Sequence, residues 1–311
     1  MAARLAILCP GQGAQNPGMF DLARGQAGMR ELVEGWLRDA GGPVAQMPLE
    51  ALLAHPSAMF DNLCAQPLVV ASTLIAWTML AERLPRPALV AGYSVGEISA
   101  YAVAGALPIE RAVAVAAQRA AIMSDVATRR GVQGMGALSG ILPDAARALV
   151  REAGCEPAID TPAALIVGGL HDKLQELEAL AARAGASYKP LPINIASHTG
   201  LLAEAVGPLR ELLRTHAAAP ALPLLAGVSA EAVHDGAEAA DLLASQTARM
   251  IRWSDCLDTI AEARIEVALE LGPGNALSRM LRERHPGIAC RSVADFRSVS
   301  GVVAWVEAQG D

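Results

Sequence analysis

Residues 92–97 read Gly-Tyr-Ser-Val-Gly-Glu, directly after the apolar run Ala88-Leu-Val-Ala91 and before the alanine-rich segment 98–106. The apolar run is typical of a buried strand, and the segment that follows is typical of a helix. A strand, a Gly-x-Ser-x-Gly turn and a helix form a nucleophile elbow, in which the turn pushes the serine hydroxyl out of the backbone. The pattern therefore predicts Ser94 as a nucleophile, with backbone N–H groups at the helix start facing any oxyanion formed there.

The composition indicates one large globular unit or a large unit with a smaller insert. The chain has 311 residues, of which 53% are hydrophobic, 18% are charged and 3% are aromatic. Such a chain can bury a sizeable core built from Ala, Leu, Val and Ile. The net charge of −7, without a cluster of Lys or Arg, argues against a nucleic-acid surface or an acidic-membrane surface.

Scattered cysteines and short apolar stretches indicate a cytoplasmic protein. The five cysteines are odd in number and form no Cys-x-x-Cys pair, so we expect reduced, buried thiols and no metal site. The apolar stretch before Pro10 is too short for a signal peptide. The apolar run Leu68 to Ala81 is too short to span a bilayer, and we expect it to form a buried helix.

Strands alternate with helices along most of the chain, which predicts an α/β fold whose mostly parallel sheet is covered on both faces. The predicted strands of this sheet include residues 5–9, 88–91 and 267–271, and the predicted helices include residues 67–81 and 108–126.

Residues 131–195 read differently, because short elements follow one another in the order βαββαβ. The predicted strands are 136–138, 156–160, 163–167 and 187–193, with helices at 143–153 and 172–184. This order is that of a ferredoxin-like unit. We therefore expect a large α/β hydrolase-like catalytic domain of residues 1–128 and 196–311, interrupted by a small ferredoxin-like α+β domain of residues 129–195.

A serine nucleophile needs a base, and His198 has the most suitable setting among the six histidines. It lies in Asn194-Ile-Ala-Ser-His-Thr199, just after the last predicted strand of the small domain. Site residues of α/β proteins collect at strand ends. A small domain that caps the large one would turn this junction toward the elbow.

The first predicted strand ends in Pro10-Gly-Gln-Gly-Ala-Gln15, which is either a plain turn or part of an oxyanion site. A dinucleotide fingerprint would need a third glycine where Asn16 stands. The two glycines would instead let a backbone N–H approach a reacting carbonyl. Together with the N–H of Val95, it would form an oxyanion hole with two donors.

Arg119 lies within the apolar segment Ala112 to Met123, where a charged group is costly unless it is paired. It is either an arginine that reaches the surface with its head group or one that binds a carboxylate. The planar guanidinium binds a carboxylate through two parallel hydrogen bonds, which a lysine does not reproduce.

Together these features resemble the malonyl-CoA:acyl carrier protein transacylases nearly end to end. The shared patterns are Pro-Gly-Gln-Gly-x-Gln at 10–15, Asn-x-x-x-Gln-Pro at 62–67, Gly-x-Ser-x-Gly-Glu at 92–97, Arg-x-x-x-Met at 119–123, Ser-His at 197–198, Gln246 followed by Arg252-Trp253, and Gly-Pro-Gly at 272–274. The fold of that family, a large α/β domain with a ferredoxin-like insert, agrees with the fold expected from the residues.

The resemblance implies a ping-pong reaction that moves a malonyl group from malonyl-CoA, through an ester on Ser94, to the thiol of an acyl carrier protein. It implies His198 as the base and the backbone N–H groups of Gln12 and Val95 as the oxyanion donors. No bound cofactor is implied, because CoA arrives with the substrate and the phosphopantetheine-type arm belongs to the carrier protein.

The same resemblance assigns the substrate pocket. Arg119 would bind the free carboxylate of the malonyl group, and Gln66 and Met123 would line the pocket around it. Main-chain carbonyls orient the histidine in this family, and Gln246 would lie nearby.

Three positions depart from the family pattern, namely Tyr93 in place of histidine, Ala120 in place of glycine, and Asp160-Thr-Pro162 in place of an asparagine-containing turn. Gly-Tyr-Ser-Val-Gly-Glu resembles the transacylase subunit of malonate decarboxylase, which loads a carrier protein bearing a modified dephospho-CoA arm. A transacylase of fatty-acid synthesis is the alternative, and it differs in the carrier arm rather than in the chemistry at the serine.

Two more distant functions stay open from the residues alone. A serine esterase or thioesterase would share Gly-x-Ser-x-Gly and use Asp258 as the acid with His285 as the base. The glycine turn at 10–15 and the inserted small domain argue against it. An inactive scaffold subunit is the other possibility, and the retained serine, histidine and arginine oppose it.

Overall fold

Two β-sheets organise the chain, and the computed structural model describes them within residues 3–310. In spatial order, the strands of the larger sheet are β11 (Ala289–Ser292), β10 (Val267–Glu270), β1 (Leu5–Cys9), β2 (Leu89–Gly92), β7 (Leu224–Ala226) and β8 (Glu231–Ala232). Neighbouring strands are parallel except for β7 and β8, which confirms the predicted α/β fold with a mostly parallel sheet.

The smaller sheet contains, in spatial order, β6 (Ser187–Pro190), β3 (Gln133–Ser139), β5 (Leu165–Leu170), β4 (Glu156–Asp160) and β9 (Ile251–Arg252). The first four strands pair antiparallel, and two helices at 143–152 and 171–183 separate them along the chain in the predicted order βαββαβ. The fifth strand, β9, pairs parallel with β4 and comes from a later part of the chain.

Helices cover both sheets. They are α1 (Met29–Ala40), α2 (Leu49–Ala54), α3 (Pro56–Phe60), α4 (Asn62–Leu80), α5 (Gly96–Val103), α6 (Ile109–Arg130), α7 (Pro143–Glu152), α8 (His171–Arg183), α9 (Ala203–Arg214), α10 (Gly236–Ser245), α11 (Trp253–Glu262), α12 (Ala276–Arg284) and α13 (Val299–Glu307). Single turns of 3₁₀ helix lie at Asp21–Ala23, Pro43–Ala45, Gly200–Leu202 and Val293–Asp295.

Helix α4 begins at residue 62, five residues before the predicted start at 67. Proline is common at the first position of a helix, so Pro67 suggests a start there, but it lies inside α4. The side chain of Asp61 caps the observed start by accepting from the N–H of Leu63. By length and composition α4 could cross a membrane, but 83% of its most apolar window is buried inside the protein. This burial is that of a core helix.

The two faces of the larger sheet pack against different layers. Along β1, Leu5, Ile7 and Cys9 belong to one buried cluster, which includes most of the apolar residues of α4 and α5. Ala6 and Leu8 belong to a second cluster, which includes Met135 of β3, residues of β4 and much of α11. The smaller sheet therefore shares a core with the larger one.

The division into two domains stays a prediction. One strand, β9, does not follow the predicted boundaries. Residues 251–252 lie outside the predicted small domain of 129–195 and yet extend its sheet. The last predicted strand, 187–193, ends earlier, at Pro190, because Pro190 and Pro192 have no N–H to donate to a ladder. The outermost ends of the predicted large domain, residues 1–2 and 311, lie outside the described residues.

The carboxyl ends of three adjacent parallel strands, β10, β1 and β2, lead into three glycine-containing turns. These turns are Gly272-Pro-Gly274, Pro10-Gly-Gln-Gly13 and Gly92 to Gly96. Parallel strands end at the same edge of a sheet, so the turns lie side by side. The topology thus brings the first turn and the elbow together at one edge.

Candidate active site

The elbow holds Ser94 in a left-handed backbone conformation, with φ of 56°. Such a φ is uncommon for a residue other than glycine and marks local strain. Gly96 makes the turn possible, because a Cβ at this position would lie 2.1 Å from the carbonyl oxygen of Cys9 and 2.4 Å from that of Pro10. Helix α5 therefore begins directly against the end of β1.

Ser94 and His198 form a hydrogen-bonded pair, with 2.8 Å between Ser94 Oγ and His198 Nε2. His198 Nδ1 lies 2.6 Å from the main-chain oxygen of Gln246. A carbonyl oxygen only accepts hydrogen bonds, so Nδ1 carries the proton and Nε2 is left as the acceptor for the serine hydroxyl. This geometry equips the histidine to remove the serine proton.

The loop that carries His198 is held from several sides. His198 itself has φ of 66°, and its N–H donates to the Thr247 carbonyl at 2.8 Å. The Gln133 side chain of β3 accepts from the N–H of Ala196 at 2.8 Å.

Burial, together with the nearby charge of Arg119, lowers the pKa of His198 to about 3. The imidazole is therefore neutral, as a general base must be.

Arg119 lies on α6 with its side chain buried, and Gln246 connects it to the Ser94–His198 pair. Its Nη1 donates to Gln66 Oε1 at 2.7 Å, and its Nη2 donates to Gln246 Oε1 at 3.1 Å. Burial lowers the pKa of Arg119 to about 10, although the charge of Glu97 acts in the opposite direction. Arginine has five N–H donors, and among the described residues Arg119 Nε has no partner, so donors remain for a ligand oxygen.

Gln66 is oriented by its own neighbours. Its Nε2 donates to Asn62 Oδ1 at 2.8 Å and to the sulfur of Met123 at 3.6 Å. Asn62 in turn donates to the Ala120 carbonyl at 3.1 Å. These bonds keep the amide nitrogen of Gln66 away from Arg119 and turn its oxygen toward the guanidinium.

The predicted oxyanion donors lie in the two adjacent turns. Val95 is buried directly after the serine, and Gln12 is half-buried in the turn after β1. Within the described part of the chain, the backbone N–H groups of Gln12 and Val95 donate to no protein acceptor. Two unpaired donors next to a serine are what a tetrahedral oxyanion requires.

The alternative acid and base lie apart from this network. His285 Nε2 bonds Asp258 at 2.9 Å, and Arg284 also donates to Asp258. The hydroxyl of Ser94 bonds His198 instead. The structure therefore does not assemble the Asp258–His285 arrangement of a hydrolase around the serine.

Tyr93, the residue that departs from the family pattern, packs against Trp253. The two rings are edge to face, with centroids 5.3 Å apart and planes at 90°. This packing contributes to the core beneath the elbow.

Asn62 and Glu97 stand in the shared patterns at 62–67 and 92–97, but the sequence predicts no role for either in the site, and it does not indicate Gln133 or Thr247 at all. Glu97 had the clearest signal, because it is an ionisable residue in an apolar segment, which is the same reason that Arg119 was singled out. The contacts of Gln133 and Thr247 reach the histidine loop across more than 45 residues of sequence and leave no local pattern.

The acyl transferase domain family matches residues 7–294 of this chain. The malonyl CoA-acyl carrier protein transacylase of Mycobacterium tuberculosis is 32% identical over 295 residues, which cover 93% of this chain and 96% of the relative. The protein of the same name from Salmonella typhimurium is 29% identical over 290 residues, covering 90% and 92%.

Solved structures give the same result. The crystal structure of MCAT from Mycobacterium tuberculosis has a TM-score of 0.87 at 30% identity and covers 99% of both chains. The crystal structure of the malonyl-CoA:acyl carrier protein transacylase from Xanthomonas oryzae has a TM-score of 0.90 at 27% identity, covering 98% of this chain and 99% of the other.

Proposed function

Because this chain belongs to the acyl transferase domain family, we propose that it is a malonyl-CoA:acyl carrier protein S-malonyltransferase. The main support is the 2.8 Å bond between Ser94 and His198, next to a buried arginine whose Nε–H has no partner among the described residues. The relatives of similar length are named malonyl CoA-acyl carrier protein transacylases, which agrees with this assignment.

In the first half-reaction, Ser94 attacks the carbonyl carbon of the malonyl thioester. The serine proton passes to Nε2 of His198 as the new C–O bond forms, and the negative charge moves to the carbonyl oxygen. The N–H groups of Gln12 and Val95 stabilise this oxyanion. The C–S bond then breaks, the imidazolium returns the proton to the leaving sulfur, and CoA departs as a thiol.

In the second half-reaction, the thiol of the carrier arm attacks the malonyl ester on Ser94. His198 takes the thiol proton, the oxyanion forms again, and the ester C–O bond breaks as the proton returns to Ser94 Oγ. A thioester is consumed and a thioester is formed, so transfer is reversible. Water must not replace the carrier thiol, since hydrolysis would waste the acyl-enzyme.

Formation of the malonyl ester tests this mechanism directly. After incubation with malonyl-CoA and no carrier, mass spectrometry should find one malonyl adduct, on the peptide that contains Ser94. CoA release should stall near one equivalent until carrier protein is added. An adduct on another residue would contradict Ser94 as the nucleophile. Steady CoA release without carrier would contradict transfer and favour a thioesterase.

Arg119 is expected to select the malonyl group through its free carboxylate. Replacing Arg119 by Ala should lower kcat/KM for malonyl-CoA roughly 10- to 100-fold, since a charge-assisted contact is worth about 1.5–3 kcal/mol. Acylation by acetyl-CoA should persist or increase. The matched control is Arg129→Ala, which removes an exposed arginine of the same helix that bonds Asp125. If the ratio of kcat/KM for malonyl-CoA to kcat/KM for acetyl-CoA (the malonyl-to-acetyl ratio) were unchanged in Arg119→Ala, this role would be ruled out.

The carrier protein is the finer part of the proposal. We infer the carrier subunit of malonate decarboxylase, because the elbow with Tyr93 resembles the transacylase subunit of that enzyme. The carrier of fatty-acid synthesis fits the same chemistry at Ser94. A transfer assay with both purified carriers tests the choice, and a higher kcat/KM with the fatty-acid carrier would contradict it.

A cytoplasmic location is part of the same proposal. All five cysteines are buried and unpaired, which fits a reducing compartment. Fractionation of cells followed by detection of the chain would check this location.

A further inference from the structure

Glu97 is a buried carboxylate at the start of α5, and the mechanism above gives it no task. Its side chain is 0% exposed. Oε2 accepts from Gln246 Nε2 at 2.6 Å and from the backbone N–H of Gly227 at 3.1 Å. A Cβ on Gly227 would lie 2.8 Å from this oxygen, so the close contact requires glycine. Burying a carboxylate is costly, which makes its place beside the site significant.

Gln246 connects Glu97 to the three residues of the proposed chemistry. Its Nε2 also donates to the main-chain oxygen of Ser94 at 3.0 Å, and its Oε1 accepts from Arg119 at 3.1 Å. Its main-chain oxygen faces Nδ1 of His198 at 2.6 Å. One residue thus contacts the nucleophile, the base and the arginine.

The orientation of the Gln246 carboxamide matters, because its two ends have opposite hydrogen-bonding character. With the NH₂ group on Glu97, the oxygen faces the guanidinium of Arg119. Rotating the carboxamide by half a turn would place NH₂ against a guanidinium that can only donate. An acceptor oxygen of Glu97 and the main-chain oxygen of Ser94 both face this NH₂ group, so together they favour the productive orientation.

Glu97 also bears the negative charge that acts on Arg119. Both protein partners of the guanidinium are neutral carboxamides. The charge of Glu97 raises the pKa of Arg119 against the larger effect of burial. With its pKa at about 10 the guanidinium is charged at neutral pH, so we expect Glu97 to act on substrate selection through the orientation of Gln246 rather than through its charge.

We propose that Glu97 is a positioning residue that fixes the Gln246 carboxamide and thereby prepares Arg119 and His198 for a substrate with a free carboxylate. This inference rests on the proposed function, because selection of a carboxylate is the property that Glu97 supports. Glu97 acts through Gln246 and touches no reacting atom.

Two substitutions of similar size separate positioning from simple packing. Glu97→Gln keeps an acceptor oxygen for Gln246, whereas Glu97→Met fills the same space without one. The measurement is kcat/KM for acylation of Ser94 by malonyl-CoA and by acetyl-CoA, together with the unfolding temperature. Glu97→Gln should keep the malonyl-to-acetyl ratio within about 3-fold of the natural protein, and Glu97→Met should lower it by about 10-fold or more.

A merely structural role would lower both activities together and leave their ratio unchanged. Glu270→Met is the matched control, because Glu270 is a second buried carboxylate, and its partners are Leu277 and Ser278 on α12. Its malonyl-to-acetyl ratio should stay within about 2-fold of the natural protein, whatever happens to its unfolding temperature. If Glu97→Met does not fold, Glu97→Asp keeps the charge, withdraws the acceptor by one methylene and should lower the ratio in the same direction.

The outcomes are distinct. A folded Glu97→Met or Glu97→Asp variant with the natural ratio would overturn the inference, and so would an equal loss of the ratio in Glu270→Met. If the natural protein itself forms no malonyl ester on Ser94, the proposed function is wrong. If it forms the ester but the ratio does not depend on Glu97, only the role of Glu97 is wrong.

Discussion

The imidazole of His198 is neutral in the resting protein, and the cause is its surroundings. It is 1% exposed, and burial followed by the charge of Arg119 lowers its pKa from the ordinary 6.5 to about 3. The main-chain oxygen of Gln246 orients the ring without adding an acidic group. The imidazole is therefore in the unprotonated form that a general base needs across the neutral pH range, although so low a pKa also makes it a weaker proton acceptor.

The pH profile of acylation tests this property of His198. In the Glu97→Gln variant, the rate of malonyl-Ser94 formation should lack an acid limb near pH 6.5 and stay level from about pH 5 to pH 8, because only the neutral imidazole accepts the serine proton. This variant removes the other group of the site whose pKa, about 7, lies in this range, so a limb that is present only in the natural protein belongs to Glu97. A limb near pH 6.5 in both proteins would contradict a depressed histidine pKa.

Single residues with a local motif could be predicted from the sequence, and residues defined by distant contacts could not. Ser94 stands in a glycine turn between a strand and a helix, and Arg119 is a charge in an apolar helix, so each has a signal of its own. The structure brings both together with His198. Gln133 reaches the histidine loop through a single hydrogen bond to Ala196, and no spacing in the sequence announces it.

The elbow is the element on which the site depends, and its tightness can be tested at Gly96. Gly96→Ala would force a methyl group to within 2.1 Å of the Cys9 carbonyl oxygen. We expect a loss of ~3 kcal/mol or more in the free energy of unfolding, or no folded protein, because backbone cannot yield as a side chain does. Chemical denaturation followed by circular dichroism would measure it.

Gly35 supplies the control for that substitution. It lies inside α1, and a methyl group there would meet only the flexible Arg38 side chain, at 3.7 Å. Gly35→Ala should therefore stabilise the protein by ~0.5–1 kcal/mol, because alanine loses less backbone entropy than glycine in a helix. If Gly96→Ala and Gly35→Ala changed the free energy of unfolding by the same amount, the steric contact at the elbow would not be what makes Gly96 necessary.

Element types followed from periodicity, but some boundaries did not. Helix α6 runs to Arg130, four residues beyond the predicted end at 126. Its last three residues, 128–130, are polar and exposed, so the apolar pattern stops before the helix does. Arg129 and Arg130 favour the helix end through the helix dipole, and Gly131, with φ of 97°, terminates it.

Two buried carboxyls and one buried histidine link the stability of the whole molecule to pH. Burial raises the pKa of Glu97 and of Glu270 from 4.5 to about 7. The native state then binds these protons more tightly than the unfolded chain, so each carboxyl lowers stability as the pH rises from 4.5 through 7. His198 acts in the opposite sense, because burial lowers its pKa. Its contribution to the free energy of unfolding is present above pH 6.5 and is lost as the pH falls from 6.5 toward 3.

Glu270→Gln should isolate one of these contributions, because Glu270 lies outside the proposed catalytic network. The free energy of unfolding of the variant relative to the natural protein should increase by ~3 kcal/mol between about pH 4.5 and pH 7. Urea unfolding at several pH values would measure this difference, in which the opposing term from His198 cancels. A difference that is constant with pH would show that Glu270 is not a high-pKa carboxyl.

The pairing of β9 with β4 has a consequence for exchanging parts between relatives. Residues 251–252 follow the segment that contacts His198, and they complete a sheet whose other strands lie some 60 to 120 residues earlier. A chimera that swapped only residues 129–195 would join a foreign sheet to a native edge strand and would replace Gln133, whose side chain accepts from Ala196 in the histidine loop. A graft that carries residues 251–252 together with the insert keeps all five strands of this sheet from one source, so the unit to exchange consists of two pieces of chain rather than one.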